Sequence, residues 1–189
     1  MKLKIIEESL NQFERQGFSA TSIQQIMEAT GATKGTFYYH FNSKEQLLMD
    51  FHTDYIDDLH DRLFIKLAPL SSPIEKLRAV VELLILDIQT NGQQARVYFR
   101  EMRHLSPDHA ELIKEKRKQF RNVIELIIEQ GIAEKEFRRE LNPRLTSYAL
   151  LGMTNWSYQW FDVDGTMSLS ELADTYTTLL LQGMMQTEE

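Results

Sequence analysis

The chain has 189 residues, 42% of them apolar, a net charge of -7 and no cysteine. That composition supports one or two small folded domains and excludes a disordered chain, while the missing cysteine excludes disulfides, thiolate metal sites and cysteine nucleophiles. The N-terminal MKLKIIEESLNQF mixes acids into its apolar residues, unlike a signal peptide, and no run reaches the roughly 18 apolar residues of a membrane span. A cytoplasmic protein with no membrane partner is expected.

Helical spacing dominates from the start. Leu3, Ile6, Leu10 and Phe13 recur on one face and Gly17 follows as a stop, which predicts a first helix of about four turns. Thr21 to Gln24 reads as a capping box for a short second helix burying Ile23, Ile26 and Met27. Gly31 suits a left-handed turn, and Thr33 caps a third helix carrying KGTFYYHF. Ser43 caps a long fourth helix through Leu47, Leu48, Phe51, Tyr55, Leu59 and Leu63.

Beyond Pro69 to Pro73 the pattern predicts helices at about 73–90, 93–104, 107–134, 143–161 and 168–186, with Pro107 and Pro143 at helix starts, where proline is tolerated. The fold class is therefore all-α: a small N-terminal helical domain, residues 1–45, followed by a larger one, residues 46–189. The last two helices carry a broad apolar stripe that includes Leu151, Trp156, Trp160, Tyr176, Leu179, Leu180 and Gly183. It closes an intramolecular core or forms a four-helix homodimer interface, the second because one small bundle has little room to cover so much surface.

Charge is unevenly spread. In residues 1–45, Lys2, Lys4, Arg15, Lys34 and Lys44 balance Glu7, Glu8, Glu14, Glu28 and Glu45, and no acid falls between Thr33 and Lys44. An acid-free surface on an acidic chain is compatible with phosphate contact there and repulsion elsewhere.

The third helix carries the chemistry. Phe37 and Phe41, at i and i+4, share a face and can be buried together, which turns Tyr38, Tyr39 and His40 outward. A short helix, a glycine turn and a second helix with outward aromatic and basic groups is the plan of a helix-turn-helix, whose second helix enters the DNA major groove. In that plan Lys34 offers charge to phosphate or guanine, Thr36 a hydroxyl or methyl to a base, and Gly35 close backbone approach. Thr33 stands at the same helix start, Tyr38, Tyr39 and His40 supply donors on flat apolar bodies, and Lys44 reaches the DNA backbone. The plainer alternative is a well-packed aromatic helix with snorkelling tyrosines.

Gly17-Phe18, Thr21-Ser22-Ile23, Ile26, Gly31, Lys34 to Phe41 and Ser43-Lys44-Glu45-x-Leu47 together resemble the DNA-binding region of the TetR family of bacterial transcriptional regulators. The resemblance covers about the first 50 residues. It implies a three-helix DNA-binding domain, a variable ligand-binding helical domain, a homodimer built on the last two helices, and a palindromic double-stranded operator released when a small-molecule effector binds; most such proteins are repressors. Met27 stands where the family usually has alanine and Ala32 where it usually has valine, which reads as a volume-conserving exchange across the turn. The stretch before the first helix is very short, so the minor-groove contacts of longer basic arms have no obvious source.

Ala149 to Trp156 with Trp160, then Asp164-Gly165, and the segment Tyr98 to Leu105, are similar to members of that family that respond to acyl-coenzyme A thioesters. The expected effector contacts are Phe99, Met102, Arg103 and Trp156. Phe99 and Met102 share a helix face and suit an apolar pocket. Arg96, Arg100 and Arg103 form a basic stripe that either meets coenzyme A phosphates or pairs with nearby acids.

Two other readings compete. Glu101-x-x-His104 has the spacing of a helical-bundle metal site or enzyme, although the further carboxylates such a site needs are not singled out. A helical adaptor that binds only protein is the other. No nucleophile elbow, phosphate-binding glycine loop or zincin motif is present, so neither catalysis nor a cofactor is expected.

Overall fold

A computed structural model describes residues 1–185, and the last residue of the predicted helix 168–186 lies outside it. Among the described residues there are eight α-helices: α1 (Lys2–Gln16), α2 (Ile23–Thr30), α3 (Lys34–His40), α4 (Lys44–Leu67), α5 (Pro73–Glu101), α6 (Pro107–Ala133), α7 (Pro143–Trp160) and α8 (Leu169–Met184), with one 3-10 turn at Met102–His104. The all-α expectation holds.

Local chemistry explains most boundaries and corrects two of them. The capping box of α2 is Ser22 with Gln25, one residue later than Thr21 with Gln24; Thr21 is buried and its hydroxyl donates to the Gly17 carbonyl instead. The break predicted near residue 91 is a kink within α5: Asn91 has φ -132° and ψ 21°, and its amide donates to Asp87 at 2.7 Å. Side-chain oxygen to backbone N–H caps, of the kind that satisfies orphan donors at a helix start, occur at Thr33, Asn142 and Ser168.

The chain divides into two compact units. The first comprises Met1–Asp58 with Gln93–Lys116, and its core holds Ile5, Leu10, Phe13, Ile26, Met27, Phe37, Phe41, Leu48, Val97 and Tyr98. Each such side chain contributes about 1.5–3 kcal/mol by leaving water. Residues 93–116, distant in sequence, thus belong with the first three helices. His52, fully buried on α4, lies 2.8 Å from the Leu48 carbonyl and 3.0 Å from that of Tyr98.

The second unit comprises Leu59–Gly92 and the chain from Arg117 onward. Leu77, Val80, Leu84, Ile124, Ile128, Leu150 and Leu172 fill its core. A polar cluster crosses it: the Tyr158 hydroxyl lies 3.0 Å from both the Leu84 carbonyl and the buried Asp87, which also pairs with Arg62 at 2.7 Å. Gly131 is required by close approach, because a Cβ there would come within 2.2 Å of the buried Phe137 ring.

Candidate nucleic-acid interface

The turn into α3 is built from Gly31, whose φ of 70° and ψ of 26° place it in the left-handed region that side chains disfavour. Thr33 follows in extended conformation and its hydroxyl accepts the Thr36 N–H at 3.3 Å. From the other side, the Lys4 ammonium donates to the Thr30 carbonyl at 3.0 Å, which satisfies the end of α2.

Phe37 and Phe41 are both buried, with ring centroids 5.4 Å apart. Only Phe37 lies in α3, since the helix stops at His40 and Phe41 is its extended cap residue. The inward pair therefore forms across the helix end rather than along one continuous face. The consequence for the neighbours is as expected: Tyr38 is 56% exposed and Tyr39 84% exposed, Lys34 and Gly35 are exposed, and Thr36 and His40 are half-buried. Thr33 is exposed beside them. The tyrosines lean on the structure by their edges, Tyr38 against Phe37 at 5.6 Å and Tyr39 against His40 at 4.9 Å.

Lys44 is more occupied than sequence reasoning allows for. Its ammonium donates to the carbonyls of Thr21 at 2.5 Å and Phe18 at 2.7 Å, and sits 4.2 Å over the Phe18 ring. Burial holds its pKa below the usual lysine value. Nothing in its position along the sequence signals these contacts.

Of the expected effector residues, Phe99 and Met102 are half-buried and Arg103 is exposed, all in the first unit. Trp156, 66% exposed, belongs to the second. Two members of the basic stripe are engaged by acids, Arg96 with Glu14 and Arg100 with Glu101, while Arg103 is exposed. On the last two helices Trp160 is 46% and Leu179 58% exposed, Gly183 is exposed, Leu151 and Tyr176 are half-buried, and Leu180 turns into its own chain. Glu101 and His104 do face each other, 3.4 Å apart, but among the described residues no group of three or more His, Asp or Glu is gathered as metal ligands. No helix among them is long and apolar enough to cross a membrane.

The family models bear directly on this geometry. Residues 5–50 match that of bacterial regulatory proteins of the tetR family, and residues 70–184 that of the tetracyclin repressor-like C-terminal domain. The chain belongs to the TetR family. This TetR-family regulator is 27% identical over 187 residues to the transcriptional repressor KstR2 of Mycolicibacterium smegmatis, covering 98% of this chain and 91% of that protein. Among solved structures it is similar to PfmR from Thermus thermophilus, with a TM-score of 0.87, 29% identity and 96% and 99% of the two chains covered. It is similar as well to AibR in complex with isovaleryl coenzyme A and operator DNA, with a TM-score of 0.86, 25% identity and 94% and 96% covered.

Proposed function

We propose that this TetR-family regulator is a repressor that binds a palindromic operator as a homodimer and leaves it when an acyl-coenzyme A thioester binds. The observation that carries the reading is the exposed Tyr38–Tyr39 ridge held above the buried Phe37 and Phe41. A ridge of donors on flat apolar bodies, on a short helix with no acid between Thr33 and Lys44, suits the donor and acceptor pattern of the major groove. The relatives add support, being a named repressor and a structure that holds both a coenzyme A thioester and operator DNA.

In this reading residues 1–45 are the DNA-binding domain and residues 46–189 the effector-binding and dimerisation domain. Thr36, Tyr38, Tyr39 and His40 meet base edges, Thr33, Lys34 and the Gly35 backbone meet the sugar-phosphate chain, and Lys44 adds a phosphate contact. An ammonium has three N–H donors, so Lys44 keeps one for phosphate while two hold Phe18 and Thr21. Leu151, Trp160, Tyr176, Leu179, Leu180 and Gly183 form the dimer surface, and Phe99, Met102, Arg103 and, separately on α7, Trp156 meet the effector. The effector acts by favouring one spacing of the two reading heads, which must match successive major grooves about 34–36 Å apart.

Selection from a random duplex pool, followed by titration of the selected duplex with a panel of acyl-coenzyme A thioesters, tests this. A palindrome is expected, released by at least one thioester of the panel. Recovery of no preferred sequence contradicts the DNA reading, and indifference to every thioester contradicts the effector class alone.

A further inference from the structure

α1 ends at Gln16, and its closing carbonyl at Phe13 receives the Gly17 N–H at 2.9 Å. It receives a second donor from outside: the Arg100 guanidinium, whose Nη2 bonds to the same oxygen while its Nε bonds to the Glu101 carboxylate. Cations and extra donors are favourable at a helix C-terminus, where unsatisfied carbonyls concentrate negative potential. Glu101 is 1% exposed, and its other oxygen, which has no hydrogen-bond partner among the described residues, lies 3.4 Å from the His104 ring nitrogen. Removing one partner of an ion pair whose other member is buried leaves that member uncompensated, so Glu101 depends on Arg100.

The same end of α5 makes further contacts with this part of the chain. Gln93 donates to Asn11 at 2.9 Å, and Arg96 Nε donates to Glu14 at 2.9 Å. The His104 ring stacks on Phe18, with centroids 5.3 Å apart, and Phe18 packs in turn on Phe13. Phe18 opens the turn that delivers α2, and Lys44 holds its carbonyl from the other side. The turn 17–21 is thus gripped between the start of α4 and the end of α5.

We infer that Arg100 is a positioning residue for DNA reading: it caps α1 and, with the buried Glu101, fixes the turn from which α2 and α3 extend. Gln93 and Arg96 extend the same grip along α1. The division between the two compact units falls at residue 92, one residue past the kink at Asn91. Residues 93–104 therefore act as part of the reading head although they lie far from it in sequence. The DNA-facing part of this inference rests on the function proposed above; the grip itself does not.

Amide hydrogen exchange on the full-length protein without DNA tests the grip. Arg100→Ala is expected to raise exchange selectively over residues 13–22, leaving α7 and α8 as in wild type, and Arg100→Lys to restore part of the protection. On a duplex selected by wild type, Arg100→Ala is expected to bind about tenfold more weakly with an unchanged slope of log affinity against log salt, because no phosphate contact is lost. If Arg100→Ala does not fold, Arg96→Ala, which cuts only the half-exposed bond to Glu14, is read by its exchange over residues 11–17. Unchanged exchange in the variant read overturns the inference, as does a reduced salt slope for Arg100→Ala. Failure of wild type to select any duplex removes the proposed function while leaving the exchange result to judge the grip.

Discussion

The Lys44 ammonium lies 2.7 Å from the Phe18 carbonyl, joining the start of α4 to the opening of the turn between α1 and α2 across 26 residues. With Thr21 as a second acceptor and the Phe18 ring beneath it, this cation works for the fold as well as for any phosphate it meets. Lys44→Met is expected to destabilise the first unit by about 1–3 kcal/mol, the range for leaving hydrogen-bonding groups such as the Phe18 and Thr21 carbonyls without their donor. It should also weaken every duplex alike and lower the salt slope by about one phosphate. Thermal unfolding and a salt-titrated binding curve check the two parts separately.

Tyr39, the most exposed of the ridge residues, makes few contacts within its own chain. Tyr39→Ala is expected to leave thermal stability within about 0.5 kcal/mol, as exposed substitutions do. It should relax preference at one position of each half-site by about 1–3 kcal/mol. Competition between duplexes differing at single positions measures this; equal loss across all duplexes would place Tyr39 on the backbone instead.

Glu45 accepts the Ser106 N–H at 3.0 Å and bonds the His109 ring at 2.7 Å. Burial alone would raise its pKa, but the Ser106 and His109 bonds outweigh it and the net shift is downward from the ordinary 4.5. A carboxyl with a lowered folded pKa contributes stability that is complete above 4.5 and is lost as pH falls through the folded value. Unfolding followed from pH 5 downward should therefore show an acid limb that is shallower in Glu45→Gln. An identical limb in both proteins contradicts the role given to the Ser106 and His109 bonds.

Gly131 sits within α6, where alanine gains up to about 1 kcal/mol of helix propensity over glycine. Against that stands the Phe137 ring, 2.2 Å from the position the new methyl must occupy and 1% exposed. Overpacking of a buried ring costs about 1–3 kcal/mol, so Gly131→Ala is expected to destabilise on balance. A raised unfolding temperature would show that the ring moves aside freely.

Trp160 and Leu179 present large apolar surfaces to water within one chain. Leu179→Arg is expected to shift the protein to monomer in sedimentation and, with it, to abolish high-affinity binding to a two-half-site duplex. A monomeric wild type would remove the dimer surface from the account.

Helix existence was legible because it follows from local spacing: the 3.6-residue period, glycine stops and caps are written within a few residues of where they act. The inward pair of phenylalanines was legible in outcome but not in geometry, since Phe41 is the extended cap of α3 and not part of its helical face. The capping box of α2 is one residue away from its expected place because Thr21 is buried and committed to the Gly17 carbonyl, a competition that the two adjacent hydroxyls do not reveal. The kink at Asn91 replaces a predicted break because its bond to the buried Asp87 keeps the chain helical on either side. What sequence could not supply is any contact over long separation. Spacing leaves Arg96 and Arg100 as either a phosphate-facing stripe or partners of acids, and only the fold shows that Glu14 and Phe13, more than 80 residues earlier, hold them.

The central claim is that the ridge above Phe37 and Phe41 reads a duplex, and binding of wild type to its selected palindrome across a range of salt tests it most directly. The account predicts affinity that falls steeply and linearly on logarithmic axes, together with a preference of at least about a thousandfold over an unrelated duplex. Affinity that ignores salt, or equal affinity for both duplexes, would contradict it.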